Sequence, residues 1–165
     1  VSAKSVNAKL LSLSTWEGYF MDMATLVSSK SKDRSIKCGM VVVGEGNTVL
    51  ATGYNGFPRG VDDYNEDYHK RPEKYAWTEH AERNTIYNAA RNGVKLLGAR
   101  AYITAHPCIE CARAIVQAGI VEVTIPTKLH DPFYLQGRWS DWEESLLKAR
   151  EILKAGRVRM VEYGV

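Results

Sequence analysis

Two short stretches constrain this chain more than anything else in it: Thr78-Glu79-His80-Ala81-Glu82 and His106-Pro107-Cys108-Ile109-Glu110-Cys111. The first sets a histidine and a glutamate two positions apart, and the second sets a proline before a C-x-x-C pair. Imidazole nitrogen and cysteine thiolate are donors that zinc takes, and a catalytic zinc keeps three protein ligands and one open position. His80, Cys108 and Cys111 are three such ligands. Pro107 suits a helix entry, where its missing N–H leaves nothing unsatisfied. Cys108 and Cys111 are therefore predicted in the first turn of a helix, three apart on one face. That electropositive end favours thiolates. His80 is predicted in the opening turn of a second helix. Because positions i and i+2 do not face each other along a helix side, His80 and Glu82 converge only off the helix tip. Two helix N-termini facing one another across a metal follow.

The order H-x-E…P-C-x-x-C matches the zinc-dependent nucleobase deaminases, in which the glutamate is not a ligand but the general acid and base. Zinc lowers the pKa of a coordinated water from about 15.7 to roughly 7, and Glu82 is the group to move its proton. The C-x-x-C alone fits a structural zinc knuckle or a redox pair equally well. Cys38 is either a fourth ligand that closes a noncatalytic structural site or a small apolar residue opening a strand. His106 reads as a supporting residue beside the ligands rather than a ligand.

The remainder of the chain must build a fold that brings these stretches together. At 165 residues it reads as one domain over 1–165, with a polar arm or short helix over residues 1–14. An apolar fraction of 45% and a charged fraction of 25% are ordinary for a globular protein. No stretch has the roughly 18 apolar residues of a membrane span, and the residues from Val1 to Lys4 do not read as part of a signal peptide. Three cysteines, two in C-x-x-C, suit a reducing compartment, so a cytoplasmic location is expected (the host cytoplasm if phage-encoded). A formal charge of +3 fits an anionic small molecule and argues against a nucleic-acid surface.

Periodicity predicts an amphipathic helix from Trp16 with Thr15 as N-cap, its apolar series running Trp16, Tyr19, Phe20, Met23, Leu26 and Val27. A hairpin follows, 38–43 and 48–54 around Gly44-Glu45-Gly46-Asn47. Residues 61–77 lack periodicity. Next come a helix over 79–91, a strand over 100–104, a helix over 108–118, a strand over 121–125 and a loop over 127–138. A long helix over 139–155, ended by Gly156, and a last strand over 157–163 complete the chain. The order α-β-β-α-β-α-β-α-β predicts a three-layer α/β/α sandwich on a mixed five-stranded sheet, its last three strands parallel through helical crossovers.

The flanking residues resemble one family. Trp16-Glu17-Gly18-Tyr19-Phe20-Met21, Ser31-Lys32-Asp33, Gly53-Tyr54-Asn55-Gly56-Phe57-Pro58-Arg59-Gly60, Thr78 to Asn84, Ala89 to Gly93 and Gln117 to Ile120 are similar to the deoxycytidylate (dCMP) deaminases. Arg71 to Tyr75 and Arg138-Trp139 resemble the bacterial and phage branch. This resemblance implies a cytidine-deaminase-like fold and hydrolysis of dCMP to dUMP. It also implies a homohexamer activated by dCTP with Mg²⁺ and inhibited by dTTP. By residue, it implies Asn55 on the deoxyribose hydroxyl, the Ala81 N–H on the pyrimidine carbonyl, Thr78 beside them, and Asn55, Gly56, Arg59 and Arg91 at the allosteric nucleotide. Lys128, His130 and Arg138 are the candidates for the substrate phosphate. Leu129 stands where animal members carry a tyrosine over the base, leaving Phe133 or Tyr134 to stack there. Relatives acting on dCTP, cytidine or tRNA adenosine are the alternatives within this chemistry.

Overall fold

The computed structural model describes residues 14–164, so the arm expected at the start lies, but for Ser14, outside the described residues. Helix α1 (Trp16–Ser28) starts at Thr15, whose Oγ1 accepts from the Gly18 N–H at 3.1 Å as an N-cap should. Strands β1 (Gly39–Val43) and β2 (Val49–Tyr54) form the hairpin, with Gly46 at φ 62° in its turn. The rest is α2 (Lys74–Trp77), α3 (Ala81–Arg91), β3 (Arg100–Ile103), α4 (Ile109–Gln117), β4 (Glu122–Pro126), α5 (Pro132–Leu135), α6 (Glu143–Ala155) and β5 (Arg159–Tyr163). The sheet order is β2-β1-β3-β4-β5, with β1 antiparallel to both neighbours and β3, β4 and β5 mutually parallel. Helices α4 and α6 make those parallel crossovers, as the alternation of elements requires.

Side chains alternate across the sheet. Met40, Val42, Ala101, Ile103, Val123 and Ile125 pack under α3, α4 and α6, whereas Val41, Val43 and Tyr102 pack under α1 through Phe20, Met21 and Ala24. This is the three-layer sandwich. Strand β1, which lies inside the sheet, is buried on both faces and therefore reads as an unbroken apolar run. A Cβ on Gly53 would lie 2.5 Å from Thr85 Oγ1, so only glycine lets α3 rest directly on β2. The carboxyl ends of β2 and β3 flank the start of β1, as the Gly39–Tyr54 and Met40–Ile103 pairings show. The functional stretches leave the sheet at that edge.

Three local expectations differ. The helix expected over 139–155 is interrupted: Trp139–Asp141 is a 3₁₀ turn, and Trp142, at φ −120° and ψ −7°, stands outside α6. Its ring packs against Phe133 and His80 instead of continuing the helical stripe, so tertiary contact overrides periodicity. Gly156 caps α6 without a positive φ, which falls on Arg157 at 59°. Glycine is needed there because a Cβ would lie 2.5 Å from Val116 on α4. On α1 the buried side is Phe20, Met21 and Ala24, while Trp16 and Leu26 face outward at 55% and 72% exposure.

Candidate metal centre and active-site cavity

His80 is the N-cap of α3 and Cys108 the N-cap of α4, both in extended backbone, and Cys111 lies buried in the first turn of α4. The sequence reading set His80 two positions and Cys108 one position too far inside their helices. At a cap the side chain leaves the axis, which lets His80 reach past the helix tip while Glu82 projects from the first turn. His80 Nδ1 is 3.4 Å from Cys108 Sγ and 3.5 Å from Cys111 Sγ, and the three donor atoms lie within 4.8 Å of one another. A tetrahedral zinc with Zn–S of about 2.3 Å and Zn–N of about 2.0 Å sets its donors roughly 3.5 Å apart. The His/Cys/Cys set therefore fits zinc and leaves one coordination position for a water. Cys38 is not in this cluster; it is buried, and burial raises its thiol well above the usual range.

The two thiols are unequal. A hydrogen bond from Cys111, and next one from His80, draw Cys108 down to about 3 against the effect of burial. Cys111 is raised correspondingly, by its hydrogen bond to Cys108 and then by burial. Arg83, which is paired with Glu79, sets Nη1 4.0 Å from Cys111 Sγ and brings positive charge to the thiolate side. Glu82 is 5% exposed, and burial pushes its carboxyl above the ordinary carboxylate range, with His80 opposing. A carboxyl poised in this way suits proton transfer near neutrality.

His80, Glu82, Arg83 and Cys108 form the floor of a cavity of about 680 Å³, with Cys111 buried behind them. Asn55, Thr78 and Ala81 line it, and so does Arg138 of the three phosphate candidates. Lys128 and His130 are placed elsewhere. The Lys128 ammonium sits 4.8 Å from the Trp139 ring centre and 3.8 Å from Glu143, and His130 Nδ1 is 2.7 Å from Thr127 Oγ1. Phe133 is on the wall and Tyr134 is not. The sequence reading missed Trp142, whose ring meets Phe133 at 5.6 Å and His80 at 6.2 Å and makes an aromatic wall over the floor. It also missed Asp33, Lys74 and Tyr75 as lining groups. Nothing in the aperiodic 61–77 stretch marks which residues turn inward.

The Asn55 loop is built into this site. Asn55 Oδ1 accepts from the Cys38 N–H at 2.7 Å and its Nδ2 donates to Ile36 O at 2.8 Å, so the amide holds the segment before β1 in place. Gly56 and Glu79 exchange backbone hydrogen bonds of 3.0 and 2.8 Å, which ties the loop to the approach to α3. Arg59 reaches Asn88, one turn before Arg91 on α3. On the opposite side, buried Asp131 accepts from both the N–H and the Nδ1–H of His106 through Oδ2, each at 2.8 Å, and from Phe133 N through Oδ1 at 2.8 Å. Arg150 donates to His106 Nε2 at 3.0 Å, which assigns the proton to Nδ1. His106 is thus a strut between the cysteine helix and the Phe133 segment.

The family model for the cytidine and deoxycytidylate deaminase zinc-binding region matches residues 14–127. The chain belongs to that family. A mouse deoxycytidylate deaminase is 38% identical over 122 residues, covering 70% of this chain and 67% of its own length. A Drosophila melanogaster protein named "Probable deoxycytidylate deaminase" is 35% identical over 136 residues, covering 76% of this chain and 62% of its own length. The chain thus spans about two thirds of these curated relatives. Among solved structures, the dCMP deaminase of cyanophage S-TIM5 in complex with dCMP and dUMP superposes with a TM-score of 0.67 at 25% identity, covering 88% of this chain and 94% of that one. The deaminase fold and a zinc-binding region are therefore shared, and His80, Cys108 and Cys111 are the donor set that this chain offers zinc. No helix among the described residues is long and apolar enough to cross a membrane.

Proposed function

We propose that this chain hydrolyses dCMP to dUMP and releases ammonia. The observation that carries the proposal is the His80–Cys108–Cys111 donor set with buried Glu82 beside it, at the floor of a cavity large enough for a nucleotide that His80, Cys108 and Glu82 line. The deoxycytidylate deaminases among its relatives support the choice of substrate. His80, Cys108 and Cys111 would hold a zinc ion, which when bound would supply an acidified water. Glu82 takes that water's proton and delivers it to the ring nitrogen as the amine-bearing carbon is attacked. It then carries a proton to the departing amine. The Ala81 N–H holds the pyrimidine carbonyl, with Thr78 beside it, and Asn55 holds the sugar hydroxyl. Trp142 and Phe133 form apolar walls that exclude water and orient the ring.

Regulation by dCTP with Mg²⁺ and by dTTP, on the Asn55–Arg59 loop and Arg91, is part of the same reading, as are a homohexamer and a cytoplasmic location. The Gly56–Glu79 bridge ties the loop to the approach to α3, and the Arg59–Asn88 hydrogen bond ties it to α3 itself. Ammonia release from dCMP, CMP, dCTP and deoxycytidine, each with and without dCTP or dTTP, is the test. Preference for dCMP is expected, along with a sigmoidal dCMP curve that dCTP makes hyperbolic. Equal turnover of the four substrates overturns the choice of substrate.

A further inference from the structure

The cavity has a direction. Its floor carries His80, Cys108 and buried Glu82, and its mouth carries cations. Four cationic side chains line it, and three have carboxylate partners: Lys74 with Asp33, Arg83 with Glu79, and Arg138 with Asp141. Arg71 has none among the described residues. Its Nε donates to Tyr75 Oη at 3.0 Å and its Nη2 to Ser35 Oγ at 3.2 Å. Arg138 approaches the same phenol from the other side, with Nη2 3.3 Å from Tyr75 Oη. Two guanidiniums from segments 67 positions apart (138 minus 71) thus converge on one neutral oxygen. Burial opposes the effect, but hydrogen bonds from Arg138 and Arg71 hold the Tyr75 phenol below its usual range, a sign of local positive potential.

The scaffold around this pair is fixed. Lys74 reaches Asp33 at 2.7 Å, and both side chains are largely buried, which anchors α2 against the segment before β1. Gln136 donates to Ser35 O at 2.9 Å and ties the Arg138 loop to that same segment. From mouth to floor the wall is aromatic: the Tyr75 ring lies 6.2 Å from Trp142, and Trp142 lies 6.2 Å from His80. A ligand along that wall has its ring at the zinc centre and its far end at the two guanidiniums. A guanidinium fork matches phosphate geometry, and a dianion is a far better acceptor for it than a phenol.

We propose that Arg71 and Arg138, joined through Tyr75 at the mouth of the cavity, grip the terminal phosphate of a nucleoside 5′-monophosphate and make the site prefer it to the bare nucleoside. This inference rests on the deaminase reading for the placement of the ring. Of the phosphate candidates that sequence alone offered, it retains Arg138 and adds Arg71 and Tyr75. Lys128 and His130 are left outside because they do not line the cavity.

The test is calorimetric titration of the zinc-loaded protein with dUMP and with deoxyuridine, on wild type, Arg71→Gln, Arg71→Lys, Arg138→Gln and Tyr75→Phe. Arg71 and Tyr75 are exposed residues, so these changes leave the core intact. Wild type is expected to bind dUMP at least tenfold more tightly than deoxyuridine. Arg71→Gln and Arg138→Gln should each weaken dUMP by about 10- to 100-fold, the loss expected for a hydrogen bond to a charged group. Deoxyuridine should shift less than threefold, Arg71→Lys should restore part of the loss, and Tyr75→Phe should fall between. Unchanged dUMP affinity in both glutamine variants, or an equal loss for deoxyuridine, overturns the grip. Failure of the deaminase reading shows separately, as wild type that releases no ammonia from dCMP while still binding dUMP more tightly than deoxyuridine.

Discussion

Glu82 combines two properties that rarely coincide in a carboxylate: it is buried, and it lies beside thiols and an imidazole rather than a partner cation of its own. Burial alone would be a liability, since an isolated buried charge is costly. In a proton shuttle it is what raises the carboxyl's hold on a proton above that of an exposed carboxylate. Glu82→Gln keeps the shape and removes the exchangeable charge. It should keep a full complement of zinc by elemental analysis and lower ammonia release by about 10²- to 10⁴-fold for each acid–base role lost. A noncatalytic zinc module would be insensitive to this change. Asn55 teaches a different lesson at the same scale. Its amide holds the backbone on either side of Lys37, so a residue expected at the sugar is also a structural clamp, and its replacement should disturb both functions at once.

At the scale of elements, the site is a meeting of two helix starts, α3 and α4, held at their distance by struts. The Gly56–Glu79 bridge fixes the approach to α3. Asp131 fixes the approach to α4, and it has no exposed surface. Removing a buried acceptor costs about 1–3 kcal/mol for each N–H left unsatisfied, and Asp131 accepts from His106 N–H, His106 Nδ1–H and Phe133 N–H. Asp131→Ala should therefore lower unfolding free energy by about that amount per orphaned N–H in urea titration, without a change in m-value. The break in the expected 139–155 helix belongs here too. Trp142 carries apolar area that is better buried against Phe133 and His80 than along α6, and the helix simply begins one residue later.

For the whole molecule, zinc ligation links α3 to α4 and so couples the two parts of the chain that the sheet alone holds less directly. Ligand binding to the native state stabilises by about 4 kcal/mol at a thousandfold excess over the dissociation constant. For a chain of this size that is a shift of roughly 10 °C in Tm. Chelation should lower Tm by about that much in a thermal scan, and Cys38→Ser should leave the difference between loaded and stripped protein unchanged, because Cys38 lies outside the donor cluster. Loss of zinc in Cys38→Ser would instead return the closed, noncatalytic site.

The zinc chemistry was legible in the chain because it is local. His80, Glu82, Cys108 and Cys111 are marked by donor type, by spacing and by helix-start signals that act within a few residues. The parallel half of the sheet was legible for a similar reason, since a strand, a helix and a strand in succession leave few ways to connect. The mouth of the cavity was not. Arg71 and Tyr75 come from a stretch with no period, Arg138 from a loop far along the chain, and Trp142 from what reads as a helix face. Only folding brings them to one wall, through long-range contacts such as Lys74–Asp33 and Gln136–Ser35 that no local pattern encodes. Sequence by itself determined that the chain presents a His/Cys/Cys donor set with a glutamate beside it. The tertiary structure decided what stands opposite them, because the distance between floor and mouth is set by packing and not by spacing along the chain.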